Sequence, residues 1–308
     1  FESATVDTNI LLIQKSPPPK TFQLKAVTLE KENNKDINIS QQLDKKGVLL
    51  KKLSKDAWFI GSSAEQQLKE KIECIGKPLK EWGVNIYYGI KTGLNEAFII
   101  TTEKRDEILA NCKDLDERKR TEAIIKPILR GRDIKRYYYE WQGLWVIVIP
   151  AGWTNKNRGN ESPEKFIERQ FSSLLNHLRP FEQEARKRDD QGDYWWELRH
   201  CAYYSEFEKE KVVWQELAQG SQFAYDDKGE YLVTNTGYIL TGKNLKYILG
   251  YLNSKLNEFT YEKWYCTKLG NKGTRWLNQH VVEIPFPPTI SANQSIVQQI
   301  EALVDRIL

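Results

Sequence analysis

Apolar residues in this chain never gather into a long run. They recur in two short rhythms, and that constrains the fold more than any single motif. No stretch approaches the ~18 consecutive apolar residues that a membrane-spanning helix needs, so a soluble protein with no membrane partner is expected. The first rhythm is that of strands. Leu144–Ile149 is almost wholly apolar and predicts a buried central strand. Val84, Ile86 and Tyr88 alternate, and Gly89 and Gly93 turn the chain toward a second strand over Ala97–Thr101. Val212–Trp214, Phe223–Tyr225 and Tyr231–Val233 also read as strands, the last two joined by a turn at Asp226-Asp227-Lys228-Gly229.

The second rhythm is helical. Ser62 and Glu65 have capping-box spacing, and Leu68, Ile72, Ile75 and Leu79 follow on one face. Ser162-Pro163-Glu164 starts a helix with Ile167, Phe171, Leu174, Leu175 and Leu178, which Pro180 breaks or kinks. Asn244 caps another with Leu245, Ile248, Leu249, Leu252 and Leu256, and a final helix uses Ile296, Val297, Ile300, Leu303 and Ile307. The elements show no repeat and no regular βαβ alternation, so the fold class is mixed α+β. At ~150 residues per domain, 308 residues suggest about two. Asn9–Ile13 reads as a buried strand stopped by Pro17, Pro18 and Pro19. Glu30–Asp56, polar and Lys-rich, reads as an exposed connection, and a boundary falls near Trp58–Ser63. The chain lacks Met altogether, even at position 1, and is expected to be a piece of something longer.

Most routes to chemistry fail. Cys74, Cys112, Cys201 and Cys266 form no Cys-x-x-Cys pair, which argues against a zinc or redox site and fits a reducing cytoplasm. His177, His200 and His280 have no ligand spacing and read as structural. Gly89-Ile90-Lys91-Thr92-Gly93 lacks the first glycine of a phosphate loop, and no Gly-x-Gly-x-x-Gly exists. Asp114, Asp116 and Glu117-x-Lys119 superficially suit a nuclease, but read as a solvated, mixed-charge stretch. No catalytic or metal-binding residue is assigned.

Basic and aromatic clusters do better. Arg130, Arg132, Lys135 and Arg136 precede Tyr137-Tyr138-Tyr139, a composition that can neutralise phosphates and pack on sugars or bases. Lys268-Leu269-Gly270-Asn271-Lys272-Gly273-Thr274-Arg275-Trp276 combines glycines with side chains that grip phosphates or read base edges. Each also fits an ordinary solvated loop, and a net charge of +4 does not decide the matter.

Five motifs appear in order: Gly89-Ile90-Lys91-Thr92-Gly93-Leu94-Asn95-Glu96-Ala97-Phe98, Leu129-Arg130-Gly131-Arg132-Asp133-Ile134, Leu252-Asn253-Ser254-Lys255, Gly273-x-Arg275 and Ile284-Pro285-Phe286-Pro287. Together they resemble the TaqI-like C-terminal specificity domain of fused type II restriction-modification enzymes, over roughly Ile86 to Pro287. Phe1–Thr8 and the apolar run after it resemble the last strands of the adenine-specific methyltransferase domain that precedes this module. That domain's catalytic Asn-Pro-Pro-Tyr is absent, and Ser16-Pro17-Pro18-Pro19 cannot replace it. The resemblance implies that residues 1–60 are a methyltransferase tail plus linker and 61–308 a target-recognition domain. It implies double-stranded DNA as partner, with S-adenosylmethionine bound by a methyltransferase domain elsewhere in the same polypeptide. A nuclease domain is left open, and the competing reading is a separate specificity or scaffold subunit. The implied DNA-binding residues are Lys91, Thr92, Asn95, Arg130, Arg132, Lys135, Arg136, Lys268, Asn271, Lys272 and Arg275. For Arg275, base contact, phosphate contact and pairing with a nearby acid all remain open.

Overall fold

The computed structural model describes residues 10–17, 19–29, 38–50, 58–266 and 273–308. The chain divides into two compact units, Phe1–Lys71 and Ile72–Leu308. In the first, Leu24–Ala26 pairs antiparallel with Val48–Leu50. The helix Ile39–Lys46 precedes the second strand, with the Asn38 side chain accepting from the Gln41 amide at 3.0 Å. The Lys-rich stretch expected to be a bare connection thus holds a helix and a strand. Conversely, Ile10–Ile13 is not a buried strand: Leu12 is 91% and Ile13 82% exposed. No strand pairs with this run among the described residues, so nothing buries its apolar faces.

The helix Ser63–Ile75 begins with the capping box that its sequence predicts, Ser62 N donating to Glu65 Oε2 at 2.8 Å and Glu65 N to Ser62 Oγ at 3.3 Å. It stops before Leu79, because Pro78 bars Lys77 from helical geometry. Leu79 instead heads a short 3₁₀ turn and is fully buried.

Two four-stranded sheets organise the second unit. One runs Phe223–Asp226, Lys211–Gln215, Gly237–Gly242, Val84–Tyr88, antiparallel throughout. Its register sets Tyr238 between Trp214 and Tyr88, and Trp214 stacks on Tyr238 with centroids 5.2 Å apart. The other runs Leu232–Val233, Ile125–Leu129, Leu144–Ile147, Ile99–Thr101, with only the first pair parallel. Leu144–Ile147 is central, as its composition predicts. The strand expected from Ala97 starts later, because Asn95–Phe98 forms a helical turn.

Phe223–Asp226 and Leu232–Val233 do not form the expected hairpin; they lie in different sheets. Asp226 explains the divergence. Its carboxylate turns inward, pairs with the buried Lys211 ammonium, and accepts from the Glu230 and Tyr231 amides at 3.1 and 2.9 Å. The intervening loop folds around that carboxylate rather than closing a tight turn.

Two expected helices are each broken in two. Pro163–Gln170 is followed by Ser172–Leu178, and Pro180 falls in the 3₁₀ turn beyond. Glu117 makes this break possible. It is completely buried, not solvated as its neighbourhood suggested, and accepts from Ser173 N at 2.9 Å at the start of the second helix. Leu245–Leu252 likewise gives way to Lys255–Thr260. The buried Asn253 bonds both the Phe223 amide and carbonyl, and Leu256 is exposed. The final helix, Gln294–Ile307, buries Val297 and Val304, while Ile296, Leu303 and Ile307 face outward.

Candidate nucleic-acid interface

The chain passes from one four-stranded sheet to the other through Thr234-Asn235-Thr236. Gly237 N closes this turn on Thr234 O at 2.9 Å. Two distant segments are bonded to it. Thr234 N donates to Leu129 O at 2.9 Å, the point from which Arg130–Asp133 departs. Gly89 N and Ile90 N donate to Gly237 O and Val233 O at 2.9 and 2.7 Å. A Cβ on Gly89 would collide with the Thr234 and Val233 carbonyls, so glycine is required for this approach. The turn thereby joins the first two motifs.

Two clefts result. One, of about 500 Å³, is lined by Asn95, Glu96, Ile99, Arg130–Arg132 and Thr234–Thr236. The other, of about 290 Å³, is lined by Tyr88–Lys91, Arg199–Tyr204 and again Asn235. The cations differ in how far they are committed. Lys91 Nζ lies 2.7 Å from Asp190 Oδ2, and Arg199 Nη1 lies 3.3 Å from the other oxygen, so two cations share one carboxylate. The Arg130 guanidinium grips Asp133 with Nε–Oδ2 3.0 Å and Nη2–Oδ1 2.8 Å, a pairing that raises its pKa. The Arg132 side chain is exposed and bonds nothing among the described residues. Thr92 is buried, its hydroxyl donating to Asn95 Oδ1 at 2.6 Å. Its carbonyl accepts from Arg188, a buried guanidinium whose pKa burial lowers to about 10.

Other sequence candidates lie elsewhere or are tied differently. Lys135 Nζ donates to Arg132 O at 2.7 Å, and Arg136 Nη2 donates to Asn253 O at the end of the helix Leu245–Leu252. Lys268, Asn271 and Lys272 lie outside the described residues. Arg275 sits on the strand Thr274–Arg275, paired with Leu217–Ala218, and its Nε is 3.4 Å from Glu216 Oε1. Glu216 N donates to Thr236 O at 2.9 Å, which connects this strand pair to the central turn. The two remaining motifs are structural. Asn253 is a buried clamp, and Pro285–Phe286 pairs with Lys77–Pro78, with Phe286 fully buried. Sequence reasoning missed Asn235, Thr236 and Arg199. Thr-Asn-Thr-Gly between two β-rich runs is the turn signal that marks the first two. Among the described residues no group of three or more His, Cys, Asp or Glu could hold a metal ion, and no helix is long and apolar enough to cross a membrane.

Comparison with solved structures finds the type IIG restriction endonuclease BpuSI, at TM-score 0.45 and 11% identity, over 79% of this chain and 27% of that one. It also finds the type IIL restriction-modification enzyme MmeI in complex with DNA, at TM-score 0.42 and 11% identity, over 85% of this chain and 31% of that one. The chain spans less than a third of the length of either. No curated protein matches. Residues 126–286 match the family model of the TaqI-like C-terminal specificity domain, a stretch that includes the Arg130–Asp133 segment, the Thr234–Thr236 turn and Arg275. That is more than half of the sequence, and the chain belongs to the family of TaqI-like C-terminal specificity domains.

Proposed function

We propose that this chain reads a target sequence on double-stranded DNA and presents it to an adenine-specific methyltransferase domain in the same polypeptide. One observation carries the reading. Motifs about forty residues apart are bonded to a single turn, where they set a rigid backbone beneath Arg, Lys and Asn side chains. Such side chains grip phosphates and read base edges. Residues 61–308 serve as the recognition domain and 1–60 as a methyltransferase tail with linker. S-adenosylmethionine and the flipped adenine belong to the neighbouring domain, and no step of catalysis runs through this chain. The absence of any disulfide among Cys74, Cys112, Cys201 and Cys266 is in keeping with work in the cytoplasm.

The test is binding of this chain to fluorescent duplex DNA across a salt series. Affinity that falls steeply with salt is expected, with non-specific Kd near ~10⁻⁴–10⁻⁶ M at physiological salt. Salt-independent binding, or none at low salt, would sink the proposal. An Asn-Pro-Pro-Tyr motif upstream in the same reading frame is expected in the gene. Its absence would instead favour a separate specificity subunit.

A further inference from the structure

The clefts around Thr234-Asn235-Thr236 separate into groups already committed and groups held ready. Lys91, Arg130 and the Thr92–Asn95 pair each have a partner within the protein, and the Thr234 and Thr236 hydroxyls bond each other at 3.0 Å. Three exposed side chains lining the larger cleft have no partner among the described residues: the Glu96 carboxylate, the Arg132 guanidinium and the Asn235 carboxamide. The backbone beneath them is fixed. Thr234 N, Gly237 N and Thr236 O are all bonded, and Asp133 N and Ile134 N close the Arg130 turn at 3.0 and 3.1 Å. The fixed backbone sets where these polar tips start, and binding has only their side-chain rotamers left to order.

The charge pattern tells bases from phosphates. A carboxylate such as Glu96 repels phosphate but accepts from an exocyclic base amine. The larger cleft, whose unpartnered side chains are one acid, one guanidinium and one amide, therefore suits base edges. In the smaller cleft Lys91 and Arg199 share a single carboxylate, leaving a net positive charge that suits a phosphate. We propose that Asn235 and Arg132 read bases in the major groove, Asn235 an adenine and Arg132 a guanine, while Lys91 and Arg199 hold the adjoining phosphate. The assignment follows from donor and acceptor chemistry: a carboxamide both donates and accepts, matching adenine N6 and N7, whereas a guanidinium only donates, matching guanine O6 and N7. This inference rests on the proposed recognition of DNA.

The experiment selects duplexes from a randomised library with the wild-type chain at low salt. It is repeated with Asn235→Ala, Arg132→Ala and Lys91→Ala, each checked by thermal melting. Asn235→Ala is expected to lose an adenine preference at one position and Arg132→Ala a guanine preference at another, by roughly 10–100-fold. Lys91→Ala is expected to weaken all sequences alike and to reduce the salt slope by about one. Asn235→Asp keeps the side chain nearly isosteric but removes its donor to adenine N7, and must show the same positional loss. A wild-type preference that survives unchanged in the Asn235 and Arg132 variants overturns this inference alone, as does loss at a base other than adenine or guanine. A wild-type chain that selects no sequence, or binds no duplex, overturns the underlying reading as well.

Discussion

Arg188→Met is the substitution that best probes how the Lys91–Asn95 segment is held. Arg188 is 7% exposed, with its guanidinium 4.3 Å above the Phe98 ring. It donates to Ala185 O at 3.1 Å, Trp195 O at 2.6 Å, Glu197 O at 3.0 Å and Thr92 O. Methionine keeps the apolar stem and removes every donor. Ala185 O and Glu197 O retain bonds from Arg188 N and Gly192 N, each at 3.3 Å. Thr92 O and Trp195 O retain none among the described residues. Two carbonyls left unpaired in a dry site cost about 1–3 kcal/mol each. Release of a guanidinium whose burial is already unfavourable offsets part of this. A net loss of about 3 kcal/mol lowers the melting temperature by roughly 6–12 °C in a unit of this size. Circular dichroism reads the melt, and hydrogen exchange should show faster exchange at Lys91–Asn95 with weaker duplex binding. A variant that melts within about 2 °C of wild type, with unchanged exchange in that segment, would refute the argument.

Four further outcomes follow from the same geometry. Gly89→Ala forces apart two backbones that meet at Thr234; a loss of about 1–3 kcal/mol by denaturant titration and weaker duplex binding are expected. Breaking the buried Lys211–Asp226 pair from either side should cost about 3–5 kcal/mol by the same measurement. Asp226→Ala should be the worse, because this carboxylate also holds the Glu230 and Tyr231 amides. Arg275→Ala removes only a half-exposed ion pair, worth about 0–1 kcal/mol, so melting should hardly change; a phosphate contact would show as a salt slope of DNA binding lower by about one, and a base contact as relaxed discrimination at one base pair. Burial raises the pKa of Tyr238 and Tyr251 from 10.0 to about 12, and the unfolded chain keeps the ordinary value. Their stabilising contribution is complete below pH 10 and is lost as pH rises toward 12, so unfolding and tyrosinate absorbance should advance together in that window.

Features satisfied within a few residues were legible in the sequence. The Ser62–Glu65 capping box forms where composition predicts because its bonded groups are neighbours in the chain, and the helix start at Ser162-Pro163 and the strand Leu144–Ile147 also fall where composition predicts. Lys91 and the cations of the Arg130 segment were likewise legible as charges. Their division of labour was not. Arg130 and Arg132 are two residues apart and compositionally alike, yet one is locked to Asp133 and the other has no partner among the described residues. The cause is the backbone turn at Gly131–Asp133, which directs successive side chains differently. Asn235 gained its place only when Leu129, Gly89 and Gly237 closed their hydrogen bonds around Thr234. The split of Phe223–Asp226 and Leu232–Val233 between two sheets, and the burial of Glu117 at a helix start 55 residues downstream, were decided the same way. Strand partnership and burial are properties of pairs distant in sequence. Local spacing carries no information about which distant amide a carboxylate will meet, and the tertiary structure alone supplies the partner.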